Sequence, residues 1–429
     1  MQLAERSPDL KNLIHEAISN NDGIVNKILQ DQWKELILEP LSKLDVDSVR
    51  APLILVIDAL DECDRETDIQ RVLQLLANSR VLRGVRFRVL ITSRPATEIR
   101  HGFSQVPEGE HRDIILHDIS QSIVDHDISV FLEHSLQIIA QKRALGPDWP
   151  GSQAVRLLVR NASGLFIWAA TACRFISEGR RFAAKRLSLI LQGGDSISAP
   201  EKQLNNIYNT VLENSVSREY EDEEKEDLYE ILRRILGSIV ILYSPLSAIS
   251  LAKLLSIPTE DVNQTSEDLH AILDIPKEQS RPIRLHHPSF RDFLLNKERC
   301  SDQQLWVDEK KAHAALADAC IRLMSDKLGR DICGLNLPGV LAEEVQGDRI
   351  DQRLPSELQY ACQYWVQHLQ RGKTQLLDDG QMHVFLRGHL LHWLEALSLM
   401  RKTSEGVLAI ISLESLVAVS DSLSVLREI

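Results

Sequence analysis

Three carboxylates, Asp58, Asp61 and Glu62, follow an apolar run in the stretch Leu-Ile-Leu-Val-Ile-Asp-Ala-Leu-Asp-Glu-Cys-Asp at 53–64. Five apolar, partly β-branched residues after Pro52 fit a strand buried on both faces of a parallel sheet. The acids then fall at the carboxyl end of that strand, where open α/β sheets bind their ligands. A carboxylate there can hold Mg2+ through water, and a second acid can orient an attacking water. This is the layout of a Walker B motif. A second apolar stretch, Phe87 to Thr92, runs into Ser93-Arg94-Pro95 and places an arginine after a second strand.

The elements that must carry these groups follow from periodicity. Residues 1 to 44 read as helical, with Leu10, Leu13, Ile14, Ala17 and Ile18 at helix spacing and a break near Asp22-Gly23. A helix around Ile69 to Ala77 links the two strands, and Ile114 to Leu116 reads as a third, short strand. Strand and helix alternate, which argues a parallel α/β sheet. Beyond residue 118 the strands nearly vanish. Asp127 is placed to cap a helix with Ile128, Phe131, Leu132, Leu136 and Ile139 on one face. Gly146 to Gly151 breaks that helix, helices resume through Ala154 to Glu178, and Gly193-Gly194-Asp195 marks a pause. The acidic stretch Glu219 to Asp227 reads as a solvated loop or a helix start. Helical segments at Leu228 to Leu242, Ser247 to Leu255 and Thr259 to Leu273, followed by two extended pieces around Pro282, compose a winged helix. The tail from 302 to 429 is helical by periodicity.

Composition narrows the class. A chain of 429 residues holds roughly two to four domains, and 44% hydrophobic residues support real cores. A net charge of −13 argues against a surface built for nucleic acid or anionic membranes. The cysteines Cys63, Cys173, Cys300, Cys320, Cys333 and Cys362 are scattered without a Cys-x-x-Cys pair, which suits reduced thiols in a cytoplasmic protein. The apolar stretch Val407 to Val419 is interrupted by Ser412, Glu414 and Ser415 and is too short and polar to cross a bilayer.

Taken together the motifs resemble the NACHT family of STAND P-loop NTPases, specifically the fungal NLR-like receptors of heterokaryon incompatibility and nonself recognition. The resemblance is carried by residues 53–63 and 88–95, by Ala-Ser-Gly-Leu-Phe-Ile-Trp-Ala at 162–169, by His-His-Pro-Ser-Phe-Arg-Asp-Phe-Leu at 286–294, and by 388–397. It implies an α/β plus α fold: a partial NTPase domain at 1–118, a helical domain at 119–200, a winged helix at 201–300 and a second helical domain at 301–429. It implies that Asp58 carries the Mg2+ site, that Asp61 and Glu62 position the hydrolytic water, that Arg94 senses the γ-phosphate and that His287 touches the β-phosphate of bound ADP. Gly164 to Trp168 occupies the place of a motif flanking the adenine, without the proline some relatives carry; by composition Phe166 and Trp168 read as helix core. ATP/ADP or GTP with Mg2+ are the implied cofactors of intact relatives, and a homo-oligomer or full-length NACHT relatives the implied partners.

One part of such a site is missing from the sequence. A phosphate cradle needs Gly-x-x-x-x-Gly-Lys-Ser/Thr between a strand and a helix. The one Gly-Lys-Thr, at 372–374, has Gln367 where the first glycine belongs and follows a helical segment. In the family the cradle precedes the segment resembling Gln2 to Ala17, so the chain is expected to begin inside the NACHT domain. Charge-assisted hydrogen bonds contribute roughly 1.5–3 kcal/mol each. Three fewer cost about 4.5–9 kcal/mol, on the order of 10³ to 10⁶ in affinity. The expectation is weak or no nucleotide binding and negligible hydrolysis by this chain alone. The alternative is a non-catalytic module or decoy that associates with full-length relatives.

Overall fold

The computed structural model describes residues 8–44, 53–77, 87–192, 199–216, 221–336, 340–373 and 380–418, except 22–23, 25–26, 64–65, 96, 108, 110, 147, 301, 341 and 343. Asp22-Gly23 and Gly193 to Asp195, read above as breaks, lie outside the described residues. The chain divides into two units, Met1–Leu116 and His117–Ile429.

In the first unit, α1 (Pro8–Ser19), α2 (Leu29–Trp33), a π-helical stretch (Lys34–Leu38) and α3 (Glu39–Ser42) precede β1 (Leu53–Ile57); α4 (Glu66–Ala77), β2 (Phe87–Ile91) and α5 (Thr97–Ser104) follow. β1 and β2 pair in parallel with Leu53 opposite Phe87 and Ile57 opposite Ile91. Side chains alternate across a strand, and the covered face is packed in two places. Leu10, Leu41 and Leu44 bury the Leu53 and Phe87 end; Leu60, Ile69, Leu73 and Ile99 bury the Ile57 and Ile91 end. Gly102 lets α5 approach α4, since a Cβ there would lie 2.3 Å from Leu73 Cδ1.

Two sequence expectations fail here. β1 is not buried on both faces: Ile54 and Val56 are 57% and 58% exposed and Leu90 is 51% exposed, because among the described residues helices pack only on the opposite face. Ile114 to Leu116 is not a strand either. Ile114 and Ile115 are irregular and exposed, and Leu116 opens a single 3-10 turn (Leu116–Asp118). A strand exists only by pairing, and no described strand borders this segment.

Among the described residues the second unit is helical apart from one hairpin and short connections. It contains α6 (Gln121–Arg143), α7 (Ser152–Ala162), α8 (Phe166–Glu178), α9 (Ala183–Gln192), α10 (Pro200–Ser215), α11 (Asp222–Ile241), α12 (Ala248–Leu255) and α13 (Thr259–Glu267). Then come β3 (Leu273–Asp274), β4 (Arg284–Leu285), α14 (Ser289–Leu295), α15 (Glu309–Lys327), α16 (Gly347–Arg353), α17 (Ser356–Gly372), α18 (Gln381–Leu399) and α19 (Thr403–Ala418). β3 and β4 are antiparallel, Leu273 opposite Leu285, and Ser247 bridges to Pro282. The first helix starts at Gln121, so Asp127 lies inside it and caps nothing; Ser120, with extended-type ψ of 138°, is the N-cap. The acidic stretch resolves as a helix start, where Glu221 and Glu224 form a reciprocal capping box on α11. The helix expected to run to Leu273 stops at Glu267, since Leu273 belongs to the hairpin.

One contiguous apolar core joins these helices from Ile128 to Leu413. Inside it runs a polar chain. The Tyr243 amide donates to Tyr360 Oη at 3.2 Å, Tyr360 Oη lies 2.7 Å from His368 Nε2, and the Nδ1 atoms of His368 and His313 are 2.7 Å apart. Burial pulls the pKa of His313 down to about 4 and that of His368 to about 3.

Candidate functional site

Parallel register sets Asp58 beside Thr92, one step beyond the last paired residues Ile57 and Ile91. The backbone ladder continues into both loops: Thr92 N–H donates to Ile57 O at 2.9 Å and Leu60 N–H to Thr92 O at 3.0 Å. Thr92 Oγ1 then ties the two strand ends together. It accepts from the Ala59 amide at 2.9 Å and donates to Asp58 Oδ1. Ala59 turns the chain in the left-handed region, at φ 51°, a conformation that costs a non-glycine residue about 1–2 kcal/mol and that clusters at functional sites. Leu60, 3% exposed, anchors the following 3-10 turn (Leu60–Glu62) in the cluster with Ile69 and Leu73.

That turn carries Asp61 across to the β2 loop. Asp61 Oδ1 accepts from the Arg94 amide at 2.9 Å and from Ser93 Oγ at 3.2 Å. Asp61 Oδ2 lies 3.6 Å from Arg94 Nε, with the aspartate side chain 15% and the arginine 53% exposed. An ion pair so exposed contributes little by itself; the amide and hydroxyl bonds are what fix the loop. Glu62 and Asp58 are exposed. The structure therefore brings Asp58, Asp61, Glu62 and Arg94 to the ends of two adjacent strands. It also engages Asp61 structurally, which leaves Glu62 as the solvent-facing acid of the turn.

His287 stands in the second unit, after β4 and at the start of α14. The sequence leaves two neighbouring histidines as candidates, and their hydrogen bonds separate them. His286 Nε2 donates to the His270 carbonyl at 3.0 Å, and burial followed by the charge of Arg174 holds its pKa below the usual value. His287 instead accepts at Nδ1 from the Ser289 amide at 3.1 Å. Trp168 is core, 2% exposed, with Nε1 donating to Gln203 O at 3.1 Å; Phe166 is 46% exposed and packs edge-on to Phe131.

Mg2+ keeps several waters and takes one or two carboxylates, and an exposed Asp58 fastened through one oxygen fits that requirement. Among the described residues no group of three or more His, Cys, Asp or Glu could form a protein-only metal cage. The Gly372-Lys373 pair makes no cradle. Gly372 is the last residue of α17, where a Cβ would lie 2.8 Å from Ala314 N, and Lys373 is its left-handed C-cap. Sequence reasoning passed over Thr92, Ser289 and Tyr208. A hydroxyl directly after an apolar strand was the one available signal, for Thr92.

These features define a strand-end acid and arginine cluster on a parallel sheet joined to a helical region, and the comparisons with known proteins point to the same class. Residues 1–94, which include Asp58, Asp61, Glu62 and Arg94, match the family described as Nephrocystin 3, N-terminal. Over 390 residues, 84% of this chain, the sequence is 27% identical to Vegetative incompatibility protein HET-E-1 of Podospora anserina. The chain spans about a quarter of that relative, 26% of its length. These likenesses bear out the resemblance to fungal NACHT-type, NLR-like incompatibility proteins. Among the described residues no helix is long and apolar enough to cross a membrane.

Proposed function

We propose that this chain is part of a NACHT-type nucleotide-dependent switch of fungal nonself recognition. The observation that carries the reading is the coupling of Asp58 to Thr92 and of Asp61 to Arg94 across two parallel strand ends. In this reading Asp58 holds Mg2+ through water, Glu62 orients the hydrolytic water, and Asp61 fastens the loop that presents Arg94 to the γ-phosphate. His287 meets the β-phosphate of ADP. Residues 201–300, with the helices α11 to α13 and the β3–β4 hairpin, act as the winged helix, and 119–200 and 301–429 as the flanking helical domains. Nucleotide, when bound, supplies the differential affinity that shifts such domains between assemblies.

The sequence holds no Gly-x-x-x-x-Gly-Lys-Ser/Thr, so negligible hydrolysis of ATP or GTP is expected from this chain by itself. Turnover measured on the full chain and on Glu62→Gln tests this. Hydrolysis in the parent that disappears in Glu62→Gln would overturn the inactivity and strengthen the site. A second reading, a non-catalytic module that associates with copies of itself or with full-length relatives, is favoured by the exposed Ile54, Val56 and Leu90. Sedimentation of the full chain and of an Ile54→Glu, Val56→Glu variant decides it: a concentration-dependent dimer lost in the variant supports association, and a monomer in both removes that face.

A further inference from the structure

The corner between α8 and α9 presents cations around an exposed aromatic ring. Residues 179–182 read Gly-Arg-Arg-Phe; the last three form a 3-10 turn, and Phe182 is 60% exposed. Lys185 is exposed just beyond. The end of α6, with the exposed Lys142, meets this corner where Arg143 Nη2 donates to Ser177 O at 3.0 Å. The ion pairs among the described residues of this unit involve none of Lys142, Arg180, Arg181 and Lys185. A chain of net charge −13 has acids to spare for them, yet leaves them open. The turn is also firmly placed. Arg180 sits in the left-handed region at φ 45°, a setting that clusters at functional sites. Gly179, where a Cβ would lie 2.8 Å from Arg186 Cδ, lets the Arg186 stem close on the turn, and its guanidinium lies 4.6 Å from the Phe175 ring centroid.

A hollow in the same unit has the complementary character. About 160 Å³ in volume, it is lined by Leu228, Ile231 and Leu232 of α11 and by Asp261, Thr265 and Asp268 of α13 and its C-cap. The exposed Asp227 immediately precedes Leu228 and adds to its acids. A cavity of about 150 Å³ holds a benzene ring. With apolar and acidic walls together, this one suits an occupant that is aromatic and cationic at once, as Arg181-Phe182 is. Knob and hollow are neighbours, since Arg186, four residues beyond Phe182, reaches Asp268 at 4.0 Å. The exposure of Phe182 shows that its own hollow does not receive it. Adjacent complementary patches are what a two-fold axis exchanges, because residue i then meets j while j meets i. We propose that this corner is a self-association surface. Arg181 and Phe182 of one copy enter the hollow beside Leu228 and Asp261 of a second, and the second copy's pair enters the first. Aromatic and arginine anchors carry most of the affinity of such a contact, while the exposed charges around them set register and suppress wrong pairings. The surface is separate from the exposed β1–β2 face and is independent of any nucleotide.

The test is sedimentation velocity of the full chain carrying Ile54→Glu and Val56→Glu, so that the sheet face cannot contribute, across a wide range of concentration. A monomer–dimer equilibrium that weakens with added salt is expected. Phe182→Ser should raise its dissociation constant at least about tenfold, the scale of a lost interface anchor. Arg180→Glu with Arg181→Glu should abolish the dimer, and so should Asp227→Lys with Asp261→Lys; Asp268 is left in place because it meets Arg186. Each reversed protein alone sets like charges against each other. An equimolar mixture of the two restores both halves of the exchange and should form the dimer again, with circular dichroism reporting that every variant is folded. A parent that stays monomeric, a dimer indifferent to Phe182→Ser, or folded reversed proteins that fail to pair in the mixture overturns the proposal. Species larger than a dimer overturn the two-fold exchange. A monomeric parent that pellets with phosphatidylserine–phosphatidylcholine vesicles, and no longer does so as Phe182→Ser, gives the corner to a lipid surface and overturns self-association.

Discussion

The two units hold polar side chains in opposite ways. In Met1–Leu116 the buried apolar residues form small separate clusters, and the chemistry-bearing groups lie at the surface, tied by hydrogen bonds between strand ends. In His117–Ile429 one core is continuous, and hydrogen bonds within it link Tyr208, Ser289 and His287 and, separately, Tyr360, His368 and His313. A buried aliphatic or aromatic side chain contributes about 1.5–3 kcal/mol, and a neutral hydrogen bond about 0.5–1.5 kcal/mol net. Geometry in the first unit is thus set by the weaker force, acting at few places. In the second it is set by packing, and the polar chains depend on that packing.

The largest break in this comparison should come from Trp365→Ala. Trp365 is fully buried, edge-on to Phe385 and Trp393 with centroids 5.6 and 5.5 Å away. Its truncation should cost about 3–5 kcal/mol, read as a lower urea midpoint for helix loss, because a continuous core transmits the cavity to all its helices. A cost under about 1 kcal/mol would mean that the core is not cooperative.

Acid should single out the second unit as well. His313 and His368 have folded pKa values near 4 and 3 against 6.5 unfolded, so the unfolded chain takes up their protons first and stability falls as pH drops below 6.5. Glu178 works the other way. Burial raises its pKa to about 7, against the opposing charge of Arg186, 3.5 Å away; its contribution is present below 4.5 and fades as pH rises towards 7. Between about pH 4.5 and 6.5 two histidine protons oppose one carboxyl proton. Glu178→Gln should remove the opposing one and steepen the dependence by about 1.4 kcal/mol per pH unit, roughly 3 kcal/mol across the window. Urea midpoints against pH for the two proteins check this, and parallel curves would sink it.

Smaller effects separate the units further. Gly372→Ala places a Cβ 2.8 and 2.9 Å from Ala314 N and Cα, backbone that cannot yield, and should cost about 1–3 kcal/mol by overpacking. Nucleotide affinity, if any is measured, should not change, because Gly372-Lys373 ends a helix and cradles nothing. Thr92→Val leaves the first unit's fold in place but removes both bonds of Oγ1, to Ala59 N and Asp58. About 0.5–1.5 kcal/mol is expected, with Thr92→Ser recovering most of it; a valine variant as stable as the parent would show that the hydroxyl does not join the strands.

Much of this was readable from local pattern. β1 and β2, the acids at their ends and most helices follow from period and composition, because burial on one face leaves that trace in any sequence. Failures occurred where a partner decides. Ile114 to Leu116 has strand composition but no described neighbour to pair with. Ile54 and Val56 are apolar yet exposed, since composition cannot say which face a helix will cover. Asp127 looked like a cap because the true start, Ser120, carries no apolar residue directly after it. Tyr208 and Ser289 meet only after α10 and α14 pack, and the bonds that Asp61 accepts from Ser93 and Arg94 form only once β1 and β2 pair.

The smallest expected effect tests the site most locally. Ala59 sits between Asp58 and the Leu60 anchor at φ 51°, where an L side chain costs about 1–2 kcal/mol. Ala59→Gly relieves that strain but frees the unfolded chain, an offset of about 0.4–1 kcal/mol. The difference leaves a gain of up to about 1.6 kcal/mol, or none. The Thr92 bond to the residue-59 amide involves only backbone on that side, so the substitution should not disturb Asp58. A slightly higher urea midpoint, with the Thr92→Val penalty unchanged in the Ala59→Gly background, would mean that left-handed strain and strand-end hydrogen bonds act independently. A midpoint lowered by more than about 1 kcal/mol would instead make the Ala59 methyl part of the packing, and the first unit would then hold its acids the way the second holds its histidines.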